Sequence, residues 1–96
     1  MKMMTLTDRN YDKFIKDGEK VVIYTTGYCR KCKAAIEKAE ATFPQSGIVE
    51  LSDPRCVGIT TKIKLMKVPT MVIFRNGKEI KRAEGTTALF NLIDQA

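Results

Sequence analysis

The chain of 96 residues contains no histidine and no tryptophan. Without histidine there can be no Ser-His or Cys-His catalytic pair, no His-containing zinc site and no usual general base near neutrality, which removes much hydrolytic chemistry. Long apolar runs are missing too. Val21-Val22-Ile23-Tyr24 and Met71-Val72-Ile73-Phe74 stop at four residues, far short of a bilayer span. No secretory-type apolar stretch follows Met1, so the expected location is cytoplasmic. Three cysteines are too few, and odd in number, for a structural disulfide framework, and a reducing compartment would not maintain one. Repeats, low-complexity tracts and Pro/Gly/Ser-rich linkers are also lacking, so residues 1–96 are expected to form one domain and to act as a monomer.

The composition that remains is that of an ordinary globular protein, with 44% apolar and 29% charged residues. Seventeen Lys+Arg against eleven Asp+Glu give a formal charge of +6, which favours acidic partners. The cations are dispersed along the sequence, so neither nucleic acid nor a membrane is an expected partner.

Periodicity orders the elements. Residues 2–6 suit a short edge strand, and Thr7-Asp8 ahead of Tyr11, Phe14 and Ile15 suits the cap of a first helix that Gly18 ends. The run from Val21 to Thr25 suits a buried central parallel strand. A second helix is expected from Cys29 to Phe43, stopped by Pro44, with Ala35, Ile36 and Ala39 on one side. Ile48 to Leu51 follows as a strand and Val57 to Met66 as a third helix, which the β-branched run Ile59-Thr60-Thr61 weakens. Pro69-Thr70 opens a strand through Phe74, Asn76-Gly77 makes a tight turn, and Glu79 to Glu84 returns. Leu89, Leu92 and Ile93 face a last helix towards the sheet. The class is α/β: a mixed central sheet of parallel βαβ units plus a C-terminal antiparallel hairpin, with helices on both faces.

In such sheets chemistry sits at the carboxyl ends of the parallel strands, which is where Cys29-Arg30-Lys31-Cys32 falls. A thiolate at Cys29 would face the unsatisfied N–H groups and positive dipole end of the helix that follows. Cys29 is therefore the expected nucleophile and Cys32, deeper in the helix, the resolving thiol. Arg30 and Lys31 further favour the thiolate; one pKa unit corresponds to about 1.4 kcal/mol. Stabilising the reduced form in this way makes the disulfide more oxidising. A CxxC pair alone serves equally as half a zinc site, but with no second pair and no histidine a metal is not expected.

Taken together, Tyr28-Cys29-Arg30-Lys31-Cys32-Lys33, Val68-Pro69-Thr70, the hairpin from Met71 to Glu79, and Gly85 before the last helix resemble the thioredoxin family over nearly the whole chain. The resemblance implies a thioredoxin fold and a cis Pro69 beside the dithiol. It further implies that Val68 offers its backbone to an extended substrate segment, with Tyr28, Arg30, Lys31, Thr70 and Gly85 around it. Three departures from the family stand out. Arg30-Lys31 replaces its Gly-Pro dipeptide, Tyr28 replaces its tryptophan, and Ile23 stands six residues before Cys29, where thioredoxins usually bury an aspartate. Cys56, thirteen residues before Pro69, is either a small buried thiol or a regulatory redox thiol whose pKa Arg55 lowers.

The implied activity is cytosolic reduction of protein disulfides. No bound cofactor is expected, and electrons would come from NADPH through a thioredoxin-type reductase. Two alternatives stay open: a glutaredoxin-like enzyme using a low-molecular-weight thiol, and a non-catalytic binding protein on the same fold.

Overall fold

The computed structural model describes residues 3–26, 30–43, 45–63 and 68–95, with backbone alone for Arg30 and Lys31. Its elements follow the expected order. They are β1 (Met4–Leu6), α1 (Tyr11–Lys16), β2 (Glu19–Thr25), α2 (Arg30–Thr42), β3 (Ser46–Glu50), a 3-10 turn (Pro54–Cys56), α3 (Val57–Lys62), β4 (Thr70–Arg75), β5 (Lys78–Glu84) and α4 (Thr86–Asp94).

One five-stranded sheet runs in the order β1-β3-β2-β4-β5. β1 and β2 are both parallel to β3, while β4 is antiparallel to β2 and β5 to β4. Thus β2 is central as expected, but only one of its two neighbours is parallel. The apolar runs of β2 and β4 are continuous because each strand is covered on both faces. Val22, Tyr24, Val72 and Phe74 point to one side, where Tyr11 of α1 and Ile59 of α3 complete a cluster. Val21, Ile23, Met71 and Ile73 point to the other, against Ala35 and Ala39 of α2 and Leu89 and Ile93 of α4. Each Val, Ile or Leu so buried contributes about 1.5–3 kcal/mol.

Several boundaries differ from the sequence reading: β3 runs over Ser46–Glu50 where Ile48 to Leu51 was expected, and three further differences each have a local reason. α1 starts at Tyr11 because Thr7 to Asn10 closes a turn: Asn10 Oδ1 accepts from the Thr7 amide at 2.7 Å and Asn10 Nδ2 donates to Thr5 O at 3.1 Å. α3 ends at Lys62, with Ile63 already extended (φ −100°, ψ 118°), in keeping with the β-branched residues before it. Within the β4–β5 hairpin the register slips between Ile73 and Phe74, which pair with Lys81 and Glu79, leaving Ile80 as the extra residue of a bulge. Asn76 and Gly77 take the positive φ values of 51° and 86° that their tight turn needs.

Asp8, placed by its sequence at the cap of α1, serves α3 instead. Its carboxylate accepts from the amides of Gly58 and Ile59, both at 2.8 Å. A Cβ on Gly58 would lie 3.0 Å from that carboxylate, so the close approach favours glycine there.

Candidate active site

Sheet register gathers the site. Thr70 at the start of β4 lies opposite Tyr24 near the end of β2 on one side and Glu84 at the end of β5 on the other. One residue ahead, the Val68–Pro69 peptide is cis, and Pro69 is fully buried behind a half-buried Val68. The Gly85 amide donates to Pro69 O at 2.9 Å, and Gly85 itself has φ 90° and ψ 162°, a conformation that strains any L side chain. Val68, Pro69, Thr70 and Gly85 therefore meet at the end of the sheet from which β2 exits. Glu84 stands at the same edge, and its place just before Gly85 is the one sequence signal that points to it.

The chain leaving β2 enters α2, whose first described residue is Arg30. Cys32, its third residue, is 2% exposed and disulfide-bonded. The first turn of this 13-residue helix carries no acidic side chain, so no carboxylate of its own competes for the positive dipole end. Tyr28 and Cys29 lie outside the described residues. Beneath α2, Ile23 is fully buried in the cluster with Ala35, Ala39, Met71 and Leu89. The buried polar side chains among the described residues are Thr25, Ser46 and Thr70, so no carboxylate occupies the place where the family usually keeps one.

Of the two readings of Cys56, the structure supports the small buried thiol. It is 1% exposed and its Sγ donates to Leu6 O at 3.3 Å, so it is not a thiol on the open edge. Burial pushes its pKa up, with the charges of Asp53 and Asp8 acting in the same direction. Arg55 offsets this only weakly, because its guanidinium is turned to Asp53 in a pair at 2.8 Å. The hydrogen bonds from Arg55 hold the Asp53 carboxyl below its ordinary value.

On the same face of the sheet, Tyr11 and Tyr24 share a hydroxyl-to-hydroxyl hydrogen bond of 2.5 Å inside the cluster. Burial raises both phenols above their usual pKa. The pair sits in the packed interior, so its role is structural.

Known proteins agree with this architecture. Among curated relatives, the thioredoxins of Staphylococcus haemolyticus and Staphylococcus aureus are 24% and 22% identical over 98 residues, covering 98% of this chain and 94% of theirs. Among solved structures, oxidised thioredoxin O1 of Arabidopsis thaliana superposes with a TM-score of 0.78 at 17% identity, covering 99% of this chain and 97% of that one. Fasciola hepatica thioredoxin gives 0.78 at 23% identity, covering 97% and 98%. A mutant thioredoxin of Halobacterium salinarum gives 0.81 at 13%, covering 98% and 87%. The fold is the thioredoxin fold. With the family profile described as Thioredoxin matching residues 2–96, the chain belongs to the thioredoxin family.

Proposed function

We propose that this chain is a cytosolic thiol–disulfide oxidoreductase that reduces protein disulfides through Cys29 and Cys32. The observation that carries the reading is the meeting of a helix that starts within the CxxC sequence and a buried cis Pro69 tied to Gly85, at one end of the sheet. Family membership supports thiol–disulfide chemistry in general.

The Cys29 thiolate attacks one sulfur of the substrate disulfide, forming a mixed disulfide and expelling the first substrate thiolate. Cys32, giving up its proton to water or to that departing thiolate, then attacks Cys29 and expels the second. Two electrons pass to the substrate, and the Cys29–Cys32 disulfide is left behind. An NADPH-dependent reductase returns the electrons, and no bound cofactor takes part. Since Ile23 offers no buried base, the Cys32 proton passes to water or to the departing thiolate and not to a carboxylate beneath α2. Val68, Pro69, Thr70 and Gly85 form the shelf for the substrate segment, with Tyr28 as its apolar contact and Arg30 and Lys31 as cations beside the nucleophile.

The test is turnover of a protein disulfide by Cys29→Ser and Cys32→Ser variants. Cys29→Ser should abolish turnover and Cys32→Ser should accumulate a mixed disulfide. Full function of the doubly substituted chain would contradict the reading and leave a binding role on the same fold. Monothiol turnover by Cys32→Ser with a low-molecular-weight thiol would instead favour a glutaredoxin-like enzyme.

A further inference from the structure

Two rows of side chains meet between β2 and α2. Along β2, Val21 and Ile23 point into the cluster under α2, and the period of two sends Thr25, the last residue of the strand, to the same side. Along α2, Cys32, Ala35 and Ala39 follow at the spacing of one helix face, and Ala35 and Ala39 lie in that cluster with Ile23. β2 and β3 are parallel, so α2 runs back over the sheet from the exit of β2 to the entry of β3. The rows are therefore antiparallel and of similar length, roughly 13 Å from Thr25 to Val21 and roughly 10 Å from Cys32 to Ala39. Matched end to end, they set Ala39 over Val21, Ala35 over Ile23 and Cys32 over Thr25.

Thr25 brings a hydroxyl to that place. It is 4% exposed, and its Oγ1 donates to Thr26 O at 3.3 Å, longer than an ordinary O–H···O bond. A hydroxyl is a rotor with one proton, so it can leave that carbonyl for a better acceptor. A thiolate is such an acceptor, since hydrogen bonds to ionised groups are about twice as strong as neutral ones. The other buried titratable side chains among the described residues, Tyr11, Tyr24 and Cys56, belong to the cluster on the opposite face of the sheet. Around Ile23 the face under α2 is apolar, with Met71 from β4, Ala83 from β5 and Leu89 from α4, and Lys33 next to Cys32 is exposed.

We infer that Thr25 is a further catalytic residue, whose hydroxyl turns from Thr26 O to donate to the Cys32 thiolate while that sulfur resolves the mixed disulfide. The inference rests on the dithiol reading above. Once the Cys32 proton has passed to water or to the first thiolate, the Cys32 sulfur forms a bond to the Cys29 sulfur. The bond from Cys29 to the substrate breaks, and its electron pair leaves on the substrate thiolate. Thr25 keeps its own proton throughout.

One equivalent of dithiobis(nitrobenzoate), mixed with the reduced chain in a stopped flow, separates the two steps: Cys29 releases the first nitrothiobenzoate and Cys32 the second. Thr25→Val, nearly the same shape without the hydroxyl, should leave the first release at the parent rate. Without one charge-assisted bond the thiolate fraction of Cys32 should fall about tenfold, of which the greater nucleophilicity of the more basic sulfur returns about threefold, so the second release should slow about threefold at neutral pH. The deficit should narrow as the pH rises towards the range in which the thiol ionises unaided. Thr25→Ser, which keeps the donor, should recover the parent rate. Ser46→Ala removes a buried hydroxyl that bonds Phe43 O at the same 3.3 Å, opposite Val21 at the far end of β2, and should leave both releases unchanged. A second release at the parent rate in Thr25→Val, equal slowing of both releases, a deficit constant with pH, or Thr25→Ser as slow as Thr25→Val would each overturn the inference. Absence of any second release from the parent chain would overturn the dithiol reading and this inference with it.

Discussion

The amide of Gly85 lies 2.9 Å from the carbonyl oxygen of Pro69, so the loop that opens α4 anchors the turn that opens β4. Gly85 can do this because its φ of 90° is open to glycine and strained for other residues. Gly85→Ala should therefore destabilise the protein by about 1–3 kcal/mol. By displacing the Pro69 shelf it should also lower kcat/KM for a protein disulfide by about tenfold. Denaturant unfolding together with turnover checks this, and a variant with unchanged midpoint and rate would contradict it.

Asp8 provides a second anchor, between the loop after β1 and the start of α3. Asp8→Ala leaves both amides of Gly58 and Ile59 without this acceptor and should cost about 1–2 kcal/mol, whereas Asp8→Asn keeps one acceptor oxygen and should cost less. Urea midpoints of the two variants test the ranking. Equal stability of Asp8→Ala and the parent chain would show that the contact contributes nothing.

Much of this fold can be read directly from residues, and the misses share a cause. The unbroken apolar runs Val21–Tyr24 and Met71–Phe74, the Asn76-Gly77 turn, and Leu89 with Ile93 are local patterns, and each marks an element that is present. Asp8 carries a local signal for capping α1, yet the donors it meets lie 50 and 51 positions away, a pairing no window of sequence contains. The site divides in the same way. Cys29 and Cys32 stand out by spacing and Pro69 by resemblance, while its contact with Gly85 and the company of Glu84 depend on strand register. Cys56 is ambiguous in the sequence for a related reason: its neighbour Arg55 suggests activation, but burial against Leu6 and the diversion of Arg55 to Asp53 emerge only in three dimensions.

Cys56 should consequently resist modification. In the reduced native protein at neutral pH, a thiol reagent should label Cys29 readily and Cys56 only after denaturation, because burial both hides the thiol and raises its pKa. Mass mapping of the labelled peptides decides it. Labelling of Cys56 at the rate of an exposed thiol would restore a redox role.

The paired phenols of Tyr11 and Tyr24 set an alkaline limit. Their folded pKa values lie above the unfolded 10.0, so their contribution to stability is complete below that pH and is lost as pH rises through 10.0 towards the folded values. Tyrosinate absorbance from these two residues should appear together with loss of circular dichroism. Ionisation of both near pH 10.0 in a still-folded chain would contradict the account.

The equilibrium reduction potential of Cys29 and Cys32, read against a glutathione buffer, tests the central claim most directly. With Cys56 buried, the parent chain should report a single two-electron couple. Arg30 and Lys31 beside the thiolate should place it less negative than the roughly −270 mV of thioredoxin. Failure to form that disulfide anywhere across the buffer range would contradict the assignment of this chain as a dithiol oxidoreductase.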